Sequence, residues 1–284
     1  MTQVSYQGTP GSYSESAVQG HFGLCVETLP CETFADALCA VECGEAEYAM
    51  LPVENSIAGS VNWSYELLME HDLRICAEVI LRVRHLLLAN PGTRLKDVRI
   101  VRSHPQALAQ CAGYLARHGL AAEPTPDTAG AAHALSANPE SGIAVIAGRG
   151  AAELTGLSIL DQAIEDSVFN YTRFFALSIH DAPRADRNKT SIVFTTPHRP
   201  GALHTCLGEF ASRSVSLCKI ESRPRAGRPW QYIFYLDFEG HCQDPACEAA
   251  LSNLLRHSSF VKMLGSYPVA DRPIDDEPTS ESRE

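Results

Sequence analysis

The chain has 284 residues, 45% of them hydrophobic and 20% charged, with a formal net charge of -11. This is the composition of a globular protein with ample length for a sizeable core, divisible into two or three modules. The acidity excludes a general nucleic-acid surface, which needs clustered Lys and Arg against phosphates, but a local Arg-lined pocket for a small anion stays compatible with it. No apolar run approaches the roughly 18 residues of a membrane span, and Met1-Thr2-Gln3-Val4 lacks the basic and apolar regions of a secretory signal. Ten cysteines include no Cys-x-x-Cys pair, and neither Cys39/Cys43 nor Cys242/Cys247 is joined to a second pair at zinc-ribbon distance. No metal is expected, and reduced thiols in a cytoplasmic protein are the economical expectation.

In chain order, Val4 to Gly8 reads as a first strand entering a glycine turn, Gly8 to Ala17, where Ser12 or Ser14 can cap the following helix and Glu15 stands in its first turn. The turn lacks the third glycine of a dinucleotide fingerprint and the Gly-Lys-Ser/Thr of a phosphate loop. It either brings backbone amides to an anion or only reverses the chain. Thr33 to Cys43 shows helical periodicity, and Tyr48 to Val53 is a buried strand running into the polar turn Glu54-Asn55-Ser56-Ile57-Ala58-Gly59-Ser60. A helix is expected from Val61 to Glu70, and Val79 to Leu88 is the longest β-rich segment. Val98 to Val101 predicts a strand, Gln106 to His118 a helix, and Ile143 to Ala147 another buried strand before Gly148-Arg149-Gly150 and an Ala-rich helix. Two α/β lobes with polar turns aimed into a common cleft are the expectation. Asn170-Tyr171-Thr172-Arg173 then opens the apolar run from Phe174 to Ile179, a buried strand with a polar start.

The polar stretch Ala182 to Asn188 reads as a linker. Beyond it come a strand (Ser191 to Thr195), a helix from Pro200 to about Ser212, a strand (Val215 to Ser222), a turn (Pro224 to Pro229), a strand (Gln231 to Phe238), a helix (Pro245 to His257) and a strand (Val261 to Tyr267). That βαββαβ order is a ferredoxin-like unit. The acidic tail from Asp271 has the composition of a disordered segment.

Polar clusters stand at Gly8 to Ser14, Glu54 to Ser60, Ser103 to Gln110 and Asn170 to Phe174. Their content is Tyr6-Gln7-Gly8-x-x-Gly11-x-Tyr13-Ser14, Pro52-x-Glu54-Asn55-Ser56-x-x-Gly59-x-Val61, Ser103-His104-Pro105-Gln106-Ala107-Leu108-x-Gln110-Cys111 and Asn170-x-Thr172-Arg173-Phe174. With Gly201-Ala202-Leu203 and Glu221-Ser222-Arg223-Pro224 further on, this order and spacing resembles the prephenate dehydratase family, in its monofunctional type with a C-terminal ACT domain. Each string alone is weak; the series, over residues 3 to 268, is specific.

The resemblance implies an α/β fold: a two-lobed, periplasmic-binding-protein-like catalytic domain over residues 1–181, a ferredoxin-like ACT regulatory domain over 189–268, and a tail over 269–284. It implies conversion of prephenate to phenylpyruvate, with loss of water and carbon dioxide, on the route to phenylalanine, without cofactor or metal. It gives Thr172 the role of donor to the leaving oxygen, as a hydrogen bond rather than as a free acid. It places Asn55, Ser56, Ser103, His104, Gln110 and Arg173 at the substrate. Arg173 either grips a carboxylate bidentately or locks the cleft by pairing with an acid such as Glu54. His104 either tunes the site or caps the helix opening at Pro105. The resemblance puts Gly201, Ala202, Leu203, Leu217, Glu221, Ser222 and Arg223 at an effector site for L-phenylalanine at a subunit interface, in a homodimer or homotetramer. Ser216 stands where the family commonly has Asn, which leaves effector affinity and identity open. No chorismate-mutase-like helix precedes the first strand, so a bifunctional enzyme is not expected. Two other readings are dehydration of arogenate and an amino-acid-sensing binding protein without turnover.

Overall fold

A computed structural model describes residues 2–225, 228–270 and 273–275, and the statements below concern these. In chain order the elements are β1 (Gln3–Gln7), α1 (Tyr13–Phe22), β2 (Glu27–Cys31), α2 (Phe34–Glu42), β3 (Tyr48–Asn55), β4 (Gly59–Ser60), α3 (Asn62–Glu70), β5 (Arg74–Arg82), β6 (Leu86–Ala89), β7 (Ile100–Ser103), α4 (Pro105–Gln110), α5 (Ala112–His118), β8 (Ala121–Pro124), α6 (Thr128–Ala137), β9 (Ile143–Ala147), α7 (Arg149–Thr155), β10 (Ser158–Gln162) and β11 (Tyr171–Ser178). There follow β12 (Asn188–Thr195), α8 (Ala202–Ala211), β13 (Leu217–Arg225), β14 (Arg228–Glu239), α9 (Pro245–His257), β15 (Phe260–Pro268) and β16 (Ile274–Asp275).

One unit is built on Met1–Ser64 and Val79–Phe174. Its two sheets have the strand orders β2-β1-β3-β11-β5-β16 and β10-β6-β9-β7-β8. β1 lies between β2 and β3, parallel to both. Local chemistry sets the helix starts. Thr33 and Asp36 form a reciprocal capping box at α2, and Ser12 accepts from Glu15 N at α1.

β9 has every residue buried because both its faces are covered. Ile143, Val145 and Ala147 pack with Ala132 and Leu135 of α6 and Ala151 of α7, whereas Ala144 and Ile146 pack with Leu108, Tyr114 and Leu115 of α4 and α5. The period of two sorts one strand into two cores. Truncating such a side chain to Ala costs about 2–5 kcal/mol.

The expected helix from Gln106 to His118 is interrupted. Cys111 leaves helical geometry, and the restart is tied by Gly113 N donating to Asp166 Oδ2 at 2.8 Å. The β-rich run Val79 to Leu88 likewise breaks where the chain crosses between sheets. Val83 N donates to Asn170 O at 2.8 Å and His85 N to Glu165 Oε2 at 2.9 Å.

The other unit comprises Tyr65–Glu78 and the segment opening at Phe175. Its antiparallel sheet, β13-β14-β12-β15, has the ferredoxin-like order that the βαββαβ pattern predicts. One face packs Ile192, Phe194, Leu236 and Phe238 under Phe210 of α8 and Leu254 of α9. The opposite face takes the segment from Tyr65: Tyr235 Oη donates to Tyr65 O at 2.8 Å, and Lys189 Nζ donates to both carboxylate oxygens of Glu78 at 2.9 and 2.8 Å. The strands run past the expected turn at Pro224. Pro224 pairs with Tyr232 in register, and as an edge-strand residue its missing N–H forfeits no bond to an outer strand. Residues 226 and 227 of that turn lie outside the described residues, as do 271, 272 and 276–284 of the expected tail. Within the tail, Ile274–Asp275 pairs parallel with Leu81 and Arg82.

Candidate active site

The geometry of the site starts from two backbone amides. After β3 the chain turns, and Asn55 Oδ1 accepts from Ile57 N at 3.1 Å and Ala58 N at 2.9 Å. Backbone N–H groups only donate, so the side-chain amide has one permitted orientation. Its Nδ2 faces the other way and donates to Asn170 Oδ1 at 2.8 Å and Thr172 Oγ1 at 3.1 Å, with Tyr171 O at 3.2 Å. Asn170 has its oxygen engaged, and its Nδ2 donates to Gln110 Oε1 at 3.0 Å. The same oxygen lies 2.8 Å from His85 Nε2, and His85 Nδ1 lies 2.8 Å from Tyr13 Oη. A directed line of polar side chains thus joins α1, the crossing segment after β5, α4, β11 and β3. Asn55, His85 and Asn170 are 6%, 2% and 0% exposed; the Asn55–Asn170 bond is buried and the others partly so, and breaking the buried one leaves unsatisfied groups.

Two donors emerge from this network unused. Thr172 Oγ1 accepts from Asn55, and its own proton has no partner among the described residues. Gln110 gives its oxygen to His85 and Asn170, which leaves its Nε2 without one. A hydroxyl that accepts a hydrogen bond is polarised toward donating one. Burial pushes the His85 imidazole pKa below its usual range, against opposing contributions from Gln110 and the Glu165 carboxylate.

The other expected substrate residues stand as follows. Ser56 Oγ donates to Phe169 O at 2.8 Å and accepts from Tyr171 N at 2.9 Å, so it splices two loops together. Ser103 is fully buried and donates to Ile146 O at 2.6 Å. His104 Nδ1 accepts from Gln106 N at 3.2 Å, which is the helix-capping geometry. The Arg173 side chain is 12% exposed, with its guanidinium 3.7 Å from the Glu54 carboxylate.

The glycine turn meets the second sheet's helices. His133 Nε2 lies 2.9 Å from Pro10 O. Gly11 has φ +84, and a Cβ there would stand 2.7 Å from Ala151 Cα. Glu15, 8% exposed, fixes the turn by accepting from Gly11 N at 2.6 Å and Thr28 Oγ1 at 2.8 Å.

In the ferredoxin-like unit, Gly201, Ala202 and Leu203 line a cleft of ≈ 300 Å³ with His198, Arg199 and Phe234. Gly201 adopts φ +80 at the N-cap of α8. Leu217, Glu221, Ser222 and Arg223 lie on the neighbouring strand β13, where Ser222 pairs with Phe234; none of the four lines that cleft. Arg223 donates to Glu221 Oε1 at 2.6 Å and stacks 4.8 Å from the Tyr65 ring centroid.

Sequence reasoning passed over His85 as a site residue. It sits in an apolar run, and its partners Tyr13 and Gln110 are 72 and 25 positions away. Only the Tyr13-Ser14 and Gln110 motifs flanked the signal.

Residues 4–182 match the family model of prephenate dehydratase. The chain is 43% identical over 283 residues to an Arabidopsis thaliana arogenate dehydratase/prephenate dehydratase, covering 94% of this chain and 72% of that one. A solved Arthrobacter aurescens prephenate dehydratase in complex with L-Phe is 33% identical with a TM-score of 0.87, over 96% of this chain and 92% of that one. A solved structure of GqqA, described as a novel type of quorum quenching acylase, is 38% identical with a TM-score of 0.87, over 95% and 98%. The chain belongs to the prephenate dehydratase family.

Proposed function

We propose that this chain converts prephenate to phenylpyruvate and is tuned by L-phenylalanine. The supporting observation is the Thr172 hydroxyl, whose oxygen is held by Asn55 while its proton is left for a ligand. In the reaction the C–C bond to the ring carboxylate breaks and its electron pair enters the ring. The C–O bond to the ring hydroxyl breaks, and the departing oxygen takes up one proton to leave as water. Prephenate dianion and a proton give phenylpyruvate, carbon dioxide and water. Thr172 donates to the oxygen as charge builds on it, the stage at which a donor accelerates the step. Gln110 Nε2 supplies a neutral donor that does not over-stabilise the carboxylate that must leave.

An acylase needs a nucleophile beside a base. Ser56 and Ser103 spend their protons on carbonyls, and His85 reaches Thr172 only through three intervening amides, which favours dehydration. The arogenate reading is decided by competing the two acids, and the sensor reading by whether bound prephenate turns over.

For the effector, the cleft beside Gly201 offers an apolar floor at Phe234, a cation at Arg199 and the imidazole of nearby His198, which suits an aromatic amino acid. β13 is an edge strand carrying the exposed Leu217 and Ile220, a surface suited to pairing with a second copy in a homodimer. Among the described residues no helix is long and apolar enough to cross a membrane, and the free cysteines suit a cytoplasmic location. The test is phenylpyruvate formation. Thr172→Ala is expected to lower kcat about 10²–10³-fold, the loss typical of one transition-state donor, with Thr172→Ser recovering part of it. Full activity in Thr172→Ala overturns the assignment.

A further inference from the structure

The direction of every hydrogen bond in the site's network is fixed at one end by the Ile57 and Ala58 amides. Following the donors outward, Asn55 Nδ2 makes Asn170 Oδ1 an acceptor, so Asn170 Nδ2 donates and Gln110 Oε1 accepts. The nitrogen facing Gln110 Oε1 across 2.8 Å must then carry a proton. The backbone of one loop therefore dictates the tautomer of a histidine on another element: His85 is protonated at Nε2.

We propose that His85 is a positioning residue for the dehydration, its Nε2–H fixing Gln110 so that the Gln110 amide faces the cleft and Asn170 and Asn55 hold Thr172 Oγ1 in place. This rests on the dehydratase reading above. At 2% exposure the ring has no water to replace a lost partner. With no donor there, Gln110 Oε1 is held by Asn170 alone; with a lone pair at Nε2 instead, Gln110 turns its own Nε2 inward, where it meets Asn170 Nδ2 donor to donor and withdraws from the cleft. Asn170 then has no acceptor and Asn55 no fixed neighbour. The far side of the ring is held as firmly. His85 Nδ1 faces Tyr13 Oη from α1, and Tyr13 Oη has a second acceptor in Arg84 O at 2.8 Å. Neutral His85 takes the Tyr13 proton at Nδ1. In the cation Nδ1 donates to Tyr13, which turns its proton to Arg84 O. Both charge states keep Nε2–H on Gln110, so the device holds its geometry whichever way the ring titrates. The charged or titratable groups facing the ring are Tyr13, and Glu165, whose Oε2 accepts from His85 N at 2.9 Å.

The experiment compares His85→Phe, which keeps a planar ring without a donor, with His85→Gln, which places an amide donor near Nε2. Expected are a fall in kcat of about 10²-fold in His85→Phe and recovery of most of it in His85→Gln, with both variants folded by near-UV circular dichroism. Wild-type kcat in His85→Phe overturns the proposal, as does a folded His85→Gln no better than His85→Phe. A second arm needs no substrate: ¹⁵N spectra of the imidazole ring are expected to show the Nε2–H tautomer near neutral pH. An Nδ1–H tautomer overturns the proposal by itself, even if His85→Phe fails to fold. A wild-type chain that dehydrates neither prephenate nor arogenate overturns the functional reading instead, while the tautomer is still read.

Discussion

Asn55 donates to Thr172, across 3.1 Å and 117 positions of sequence, and never the reverse. The two amides that occupy Asn55 Oδ1 impose that polarity, so the Thr172 proton is directed elsewhere than to Asn55.

Substituting Asn55 tests the polarity. Asn55→Asp is nearly isosteric, yet its carboxylate can only accept. It would draw the Thr172 proton inward and face Asn170 Oδ1 oxygen to oxygen. Asn55→Asp is therefore expected to lose at least as much kcat as Asn55→Ala, about 10²-fold or more. Steady-state kinetics on prephenate check the order of the two.

Ser103 separates a substrate contact from a structural one. Its hydroxyl is spent on Ile146 O at 0% exposure, so Ser103→Ala is expected to cost about 1–3 kcal/mol of stability through the orphaned carbonyl. Denaturant unfolding beside an unchanged KM is the expected pair of results.

The Lys189–Glu78 pair is buried under the ferredoxin-like sheet, with Glu78 5% exposed. Removing one partner takes away the opposite charge that the other holds at 2.8 Å. Lys189→Met or Glu78→Gln is expected to cost about 3–5 kcal/mol, and Lys189→Met with Glu78→Leu far less than the sum. A double-mutant cycle by chemical denaturation gives the coupling.

His85 adds a pH term. Its folded pKa lies below the ordinary 6.5, so the unfolded chain binds more protons in the window between the two values. The stability it contributes is complete above 6.5 and is lost as pH falls through that window toward the depressed value. Thermal unfolding is expected to soften on the acid side of 6.5 in the wild type, and less steeply in His85→Gln.

Much of the fold was legible because local signals agreed with tertiary need. Apolar periodicity marked a helix from Thr33 to Cys43, the unbroken apolar β9 marked a buried strand, and the βαββαβ order predicted the second unit's sheet. Elements without such signals were passed over. β8 is exposed along its length, β2 is short with Pro30 inside it, and α6 is an Ala-rich helix with little amphipathic contrast. Asn55, Gln110, Asn170 and Thr172, named by separate motifs, are joined in one hydrogen-bonded network. Those same motifs could not tell a hydroxyl facing the cleft from one turned to a carbonyl, as at Ser56 and Ser103, since that depends on partners dozens of residues away.

The contact of Gly11 with Gly150 and Ala151 has a consequence for which residues the turn tolerates. Backbone meets backbone there: a Cβ on Gly11 would stand 2.7 Å from Ala151 Cα, and one on Gly150 3.3 Å from Gly11 Cα. Side chains yield by changing rotamer, whereas main chain does not. The glycine turn and the start of α7 therefore meet main chain to main chain, and any side chain at Gly11 has to push the two segments apart.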